Sequence, residues 1–262
     1  MLDVNIDQLY AWINAFLWPF FRIMALAGAA PVLGESSIPT RVKVGLSALL
    51  ALAIAPALDP LPQVPTASIA ALWLAIQQVL IGLALGLIMR ITFAAVQTAG
   101  EFVGLQMGLS FASFFDPGTG ANTAVLSRIM NVMATLLFLA LNGHLLMLGT
   151  VLRTFEVLPI APGALDVNGW GVLLEWSSQV LVSGMLLALP LIIILLTINL
   201  ALGILNRTAQ QLSVFAVGFP ISLLTGLVLL TIVLPQSSPF LAHLFEQGYS
   251  TMAKLANALA TR

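Results

Sequence analysis

The residue types that most often carry out chemistry are scarce in this chain, and their spacing excludes more than it offers. Histidine occurs only at His144 and His243. Neither stands in an HExxH pattern or beside a carboxylate pair, so a helical zinc site is not expected. Ser183 precedes Gly184 without a glycine two positions before it, so no GxSxG nucleophile turn forms there. No Walker A loop and no GxGxxG occur. Intramembrane carboxylates are too few for a proton relay. An enzymatic reading, and with it any cofactor or metal, has no residues to rest on.

Two charges in apolar surroundings remain. Arg22 lies within FLWPFFRIMALAG and Glu101 within AGEFVGLQMGLS. A charge at the centre of a membrane helix costs about 2.5–3.5 kcal/mol, so Arg22 must face protein. It can bond backbone carbonyls, snorkel to the interface, or form an ion pair. For the ion pair Glu101 is the candidate acid, unless each charge meets a partner subunit instead.

The segment 99–117, AGEFVGLQMGLSFASFFDP, is the most informative in the sequence. Gly100, Gly104 and Gly108 recur every fourth residue, and Gly82 with Gly86 does the same one stretch earlier. Small residues at this spacing let a second helix come close. Gly82 and Gly100 are 18 residues apart, five turns, so on an unbroken helix both motifs share a face. The seam they form is either within the chain or between subunits. Phe111, Phe114 and Phe115 then run into Asp116-Pro117-Gly118, a turn-forming triplet. An aromatic loop must be covered by protein or lipid, or fill a hole.

A second unusual block is NRTAQQLSVFAVGFP at 206–220. Asn206, Arg207, Gln210 and Gln211 interrupt two apolar helices there. They read either as an ordinary connection at a membrane surface or as a polar contact site at the narrow end of an assembly.

The elements that position these residues are apolar helices. The chain is 60% hydrophobic and 7% charged, against about 25% charged in an ordinary soluble domain. A net charge of −1 with no basic run gives no signal for nucleic acid or a polybasic anchor. Six apolar segments stand near 12–33, 44–58, 69–98, 129–152, 179–205 and 212–234. Five reach the ~20 residues a spanning helix needs, and the second, short and carrying Pro56, is marginal. Ala67 to Gly108 would make a helix of roughly 63 Å, and Trp170 to Asn206 one of about 55 Å with Pro190 as a kink. Both exceed a bilayer core. The linkers are short, so 1–262 is read as one all-α polytopic membrane unit with long kinked helices. The opening MLDVNIDQL lacks the basic start of a cleavable signal, so the mature chain is expected to begin at Met1.

Taken in order, these motifs resemble the FliR family of flagellar type III export-gate proteins and their injectisome counterparts. The resemblance rests on RIMALAGAAPVLGESSIPTRVKVGL (22–46), AGEFVGLQMGLSFASFFDP (99–117), LFLALNGHLLML (137–148) and the NR…QLSVFAVGFPIS block (206–222), almost end to end. Many relatives read Ala-Pro-Gln where this chain has Ala209-Gln210-Gln211, so a proline break is missing there. Serine at Ser213 and Ser222 leans to the flagellar branch.

The resemblance implies a protein without enzymatic activity. It would assemble with FliP-like and FliQ-like membrane subunits into a hetero-oligomeric channel for unfolded export substrates. An FlhB-like (FliB-type) export switch protein is a further implied partner. The location would be the bacterial inner membrane within the flagellar basal body, with the complex raised out of the bilayer. Residues 1–160 would be the FliP-like part and 161–262 a FliQ-like hairpin. Met107, Gly108, Leu109, Ser110, Phe111, Phe114, Phe115, Asp116 and Pro117 would form the channel plug. Apolar side chains would seal it without directional bonds. The competing reading is a small-molecule or ion transporter, since broken helices and an intramembrane arginine occur there too.

Overall fold

The computed structural model describes residues 6–58, 62, 64–65, 68–109, 125–208 and 214–260. Every regular element among them is helical. In order they are α1 (Ile6–Ala29), α2 (Thr40–Ile54), a 3-10 turn (Ala55–Ala57), α3 (Ile69–Gln106), α4 (Val125–Ala140) and α5 (Gly143–Val157). A second 3-10 turn (Val167–Trp170) leads into α6 (Gly171–Thr208), followed by α7 (Val214–Gln236) and α8 (Ser238–Leu259).

The two over-long segments are single helices. α3 and α6 contain 38 residues each, about 57 Å at 1.5 Å per residue. α3 starts cleanly because the Ser68 hydroxyl accepts from the Ala71 N–H at 3.2 Å, an N-cap three residues ahead. α6 runs through Pro190 without interruption. The marginal second segment forms α2, and its helix gives way to the 3-10 turn holding Pro56. Among the described residues, five helices are long and apolar enough to cross a membrane, or up to six if α4 and α5 count together.

Two sequence expectations need correction. The segment 129–152 is not one helix: it breaks between α4 and α5 at Asn142, which takes the left-handed conformation with φ 56°. Asparagine tolerates that region because its short polar side chain can bond locally. Beyond the last apolar segment, which ends near residue 234, a further helix follows, α8. Its apolar face, Leu241, Leu244, Phe245, Met252, Leu255 and Leu259, is buried, and its other face is polar.

The chain forms two compact units interleaved along the sequence. The first comprises Met1–Ile91, Asn142–Ser177 and Glu246–Arg262, the second Thr92–Leu141 and Ser178–Phe245. The first is centred on α1 and the N-terminal half of α3, with Trp18, Arg22, Ile23, Leu74, Ile81 and Leu85 fully buried. The core of the second holds three mutually packed rings. Phe93, Phe138 and Phe245 lie with centroids 5.4 Å apart in every pair, two edge-on contacts and one stacked, the geometries aromatic quadrupoles favour.

Candidate functional site

The C-terminus of α3 sets where the aromatic segment begins. Gly108 has φ 79°, and its N–H donates to Leu105 O at 3.1 Å while the Leu109 N–H donates to Gly104 O at 3.0 Å. This pair of bonds is a Schellman motif, in which a left-handed residue closes the last turn. Glycine takes that conformation without the Cβ clash other residues suffer. Just before it, Met107 is buried to 1% exposure. Of the expected plug residues, Met107, Gly108 and Leu109 are thus a fixed base. Ser110, Phe111, Phe114, Phe115, Asp116 and Pro117 lie outside the described residues.

Arg22 is fully buried in the first unit, bound entirely by neutral groups. Its Nε donates to Gln78 Oε1 at 2.8 Å, Nη1 to Thr154 O and Oγ1 at 3.1 Å each, and Nη2 to Leu158 O at 3.0 Å. The guanidinium also sits 4.2 Å from the centre of the Phe155 ring. Thr154 and Leu158 are at the C-terminus of α5, where the free carbonyls of a helix carry about half a negative charge. That terminus takes the place of the carboxylate. The expected ion pair with Glu101 is therefore corrected, and the carbonyl-bonded alternative is what forms. Glu101 itself is exposed.

Gln77 and Gln78 are both 2% exposed, and Gln77 Nε2 donates to Gly163 O at 2.6 Å. Gln77 thus ties α3 to the chain after α5, and Gln78 ties it to Arg22 on α1. Sequence reasoning passed over them, although consecutive amides inside WLAIQQVLIG were a visible signal.

The glycines divide. A Cβ on Gly82 would strike the Arg22 carbonyl oxygen, and one on Gly86 would lie 2.8 Å from Ala29 Cβ, so both seat α1. One on Gly100 would lie 2.6 Å from Ser127 Cα, so it seats α4. These three form seams within the chain. For Gly104 the nearest atom is Leu126 Cβ at 3.9 Å, ordinary contact. Gly100→Leu is therefore expected to force α3 and α4 apart, at a cost of about 1–3 kcal/mol or more. It should lower the amount of chain recovered from membranes. Gly104→Ala should leave that amount unchanged while Gly100→Ala lowers it; equal losses in a quantitative blot would contradict this division.

Three sites missed from sequence show the same close packing. Gly169 meets Ala258, Gly184 meets Ala95 and Thr98, and Gly226 meets the Met107 side chain. None belongs to a four-residue glycine repeat in the sequence.

One face of α3 is exposed and is polar from Arg90 to Glu101, with Leu83 and Leu105 exposed on the same side. Arg90, Gln97 and Glu101 stand at i, i+7 and i+11 and are all exposed, so they share a side of the helix. Gln97 Nε2 donates to Asn131 Oδ1 on α4 at 3.0 Å, and Arg128 nearby on α4 is exposed as well. At the end of α6, Arg207 is exposed, while Gln211 lies outside the described residues.

These features define the class: an all-α polytopic membrane protein with helices too long for one bilayer and a glycine-capped helix end opening into an aromatic segment. The family model described as "Bacterial export proteins, family 1" matches residues 13–248. The Flagellar biosynthetic protein FliR of Escherichia coli (strain K12) is 49% identical over 259 residues, covering 99% of each chain. That of Pectobacterium carotovorum is 46% identical over the whole of both chains. That of Bacillus subtilis (strain 168) is 30% identical over 92% of this chain and 94% of its own. The chain belongs to the FliR family of bacterial export proteins.

Proposed function

We propose that this flagellar biosynthesis and export protein is the gate subunit of the flagellar export channel. In this reading it assembles with FliP-like and FliQ-like membrane subunits and contacts an FlhB-like switch protein. Unfolded flagellar substrates pass through the assembly, and residues 107–117 close it at rest. The complex belongs in the bacterial inner membrane within the flagellar basal body. The first 160 residues act as the FliP-like part and the remainder as the FliQ-like part. The family and the relatives named above carry the names of export and flagellar biosynthetic proteins.

The observation that carries the assembly reading is the exposed polar face of α3. Arg90, Gln97 and Glu101 line one side of a 38-residue helix whose roughly 57 Å exceeds a ~30 Å hydrocarbon core. Charges on that face cannot meet lipid without a penalty of about 2.5–3.5 kcal/mol each. Cover by other subunits, or by water in a channel or beyond the bilayer, removes it. Deleting the gene in its own bacterium should stop flagellar substrates from reaching the medium while other secretion continues. Normal flagellar secretion in the deletion strain would overturn the proposal.

A further inference from the structure

The second unit holds α7 by a single file of residues. Gly218, Ser222, Gly226 and Leu230 are buried at every fourth position, while Ile221, Leu224, Leu227 and Val228 are exposed. Ser222 Oγ donates to Asn199 Oδ1 at 2.8 Å, fixing the register of α7 on α6. One turn further on, the gap left by Gly226 is filled from α3. A Cβ there would lie 2.5 Å from Met107 Cγ and 2.6 Å from its Cε and Sδ. The Met107 side chain therefore occupies the space that a side chain at 226 would need.

We propose that Met107, seated over Gly226, is a latch that fixes the base of the aromatic segment to α7 and must release for export. This rests on the plug reading given above. Met107 is the last buried side chain before the segment, and Gly108, in the left-handed region, lets the chain turn directly after it. The thioether packs without directional bonds. It can leave its notch without stranding a polar group, while Ser222 and Asn199 keep the register of α7. A narrow buried stripe is also the kind of contact that a small shift of α7 undoes.

The test uses the whole assembled complex. The chain has no cysteine, so Met107→Cys with Gly226→Cys introduces its sole thiol pair. With a Cβ at 226 at 2.5 Å from Met107 Cγ, the two Cβ atoms stand no more than about 4 Å apart, within disulfide reach. Copper phenanthroline as oxidant removes two electrons and two protons to join the sulfurs. The bond should form within the chain, reduce export of flagellar substrates at least about tenfold, and release the block on reduction with dithiothreitol.

A disulfide that forms while export continues unchanged, or thiols that never join, would overturn the latch. Should the double cysteine variant fail even when reduced, two single changes decide. Gly226→Ala should expel Met107 from its notch and make the resting complex leak while export continues, and Met107→Ala should do the same; a resting complex that stays tight in both overturns the proposal. Deleting residues 110–115 reports on the plug itself. A tight membrane in that deletion, together with redox-controlled export, would overturn the plug and keep the latch as a moving contact.

Discussion

Removing residues 110–115, or changing Phe111, Phe114 and Phe115 to alanine, is expected to make the assembled complex leak ions and small solutes. The segment starts from a rigid base, with Met107 buried and Gly108 closing α3. Its three phenylalanines would exclude water from a constriction by dewetting rather than by bonds a passing chain must break. Each Phe→Ala change removes most of a side chain whose apolar burial is worth about 1.5–3 kcal/mol. Losing all three should remove the seal rather than weaken it. The measurement is conductance, or dye efflux from vesicles, with the partner subunits co-expressed. Conductance as low as in the unaltered complex would reject the plug.

Arg22→Met is expected to be the most damaging single change to the chain's own stability. Methionine fills the space of the stem and removes the cost of a buried charge. It supplies no donor, however, to Gln78 Oε1 and Leu158 O, which Arg22 serves at 2.8 and 3.0 Å, while Thr154 O keeps the Leu158 N–H at 2.9 Å. A buried acceptor left without a partner costs about 1–3 kcal/mol, and the contact with Phe155 is lost as well. A loss of a few kcal/mol is expected, about 1–3 kcal/mol for each stranded acceptor. Lysine should not rescue it, because one ammonium cannot span three acceptors that a planar fork reaches.

Glu101→Gln should be close to neutral for chain stability, because Glu101 is exposed. Combined with Arg22→Met its effect should add within about 0.5 kcal/mol. Denaturant unfolding of the detergent-purified variants measures both quantities. A Glu101→Gln change that recovers stability in the Arg22→Met background would contradict the neutral cage around Arg22.

What the sequence disclosed depended on how local the cause was. The long helices were legible because apolar length and the absence of a breaker are properties of the segment itself. α3 and α6 came out at 38 residues each, close to the extents read from composition. Gly82, Gly86 and Gly100 were legible as close contacts for the same reason. Gly104 shares their spacing but not their contact, since periodicity identifies a face and not the point where two helices part. The break at Asn142 was hidden because leucines on both sides keep any hydropathy window high.

α8 was missed because it is only half apolar and reads as polar until its face is sorted by position. The acceptors of Arg22 illustrate a further limit. A helix C-terminus offers carbonyls in any sequence, so nothing in the residue types distinguished it from a carboxylate. The aromatic segment itself was the clearest sequence signal, and it lies outside the described residues.

The central claim is that the chain works as one subunit of a hetero-oligomeric export gate. Purification of the tagged chain from its own membranes, with native mass measurement and mass spectrometry of whatever accompanies it, tests this most directly. The expected result is one particle that contains two further small hydrophobic membrane proteins, FliP-like and FliQ-like. Recovery of the chain alone, as a monomer or homo-oligomer, would contradict it and favour a transporter.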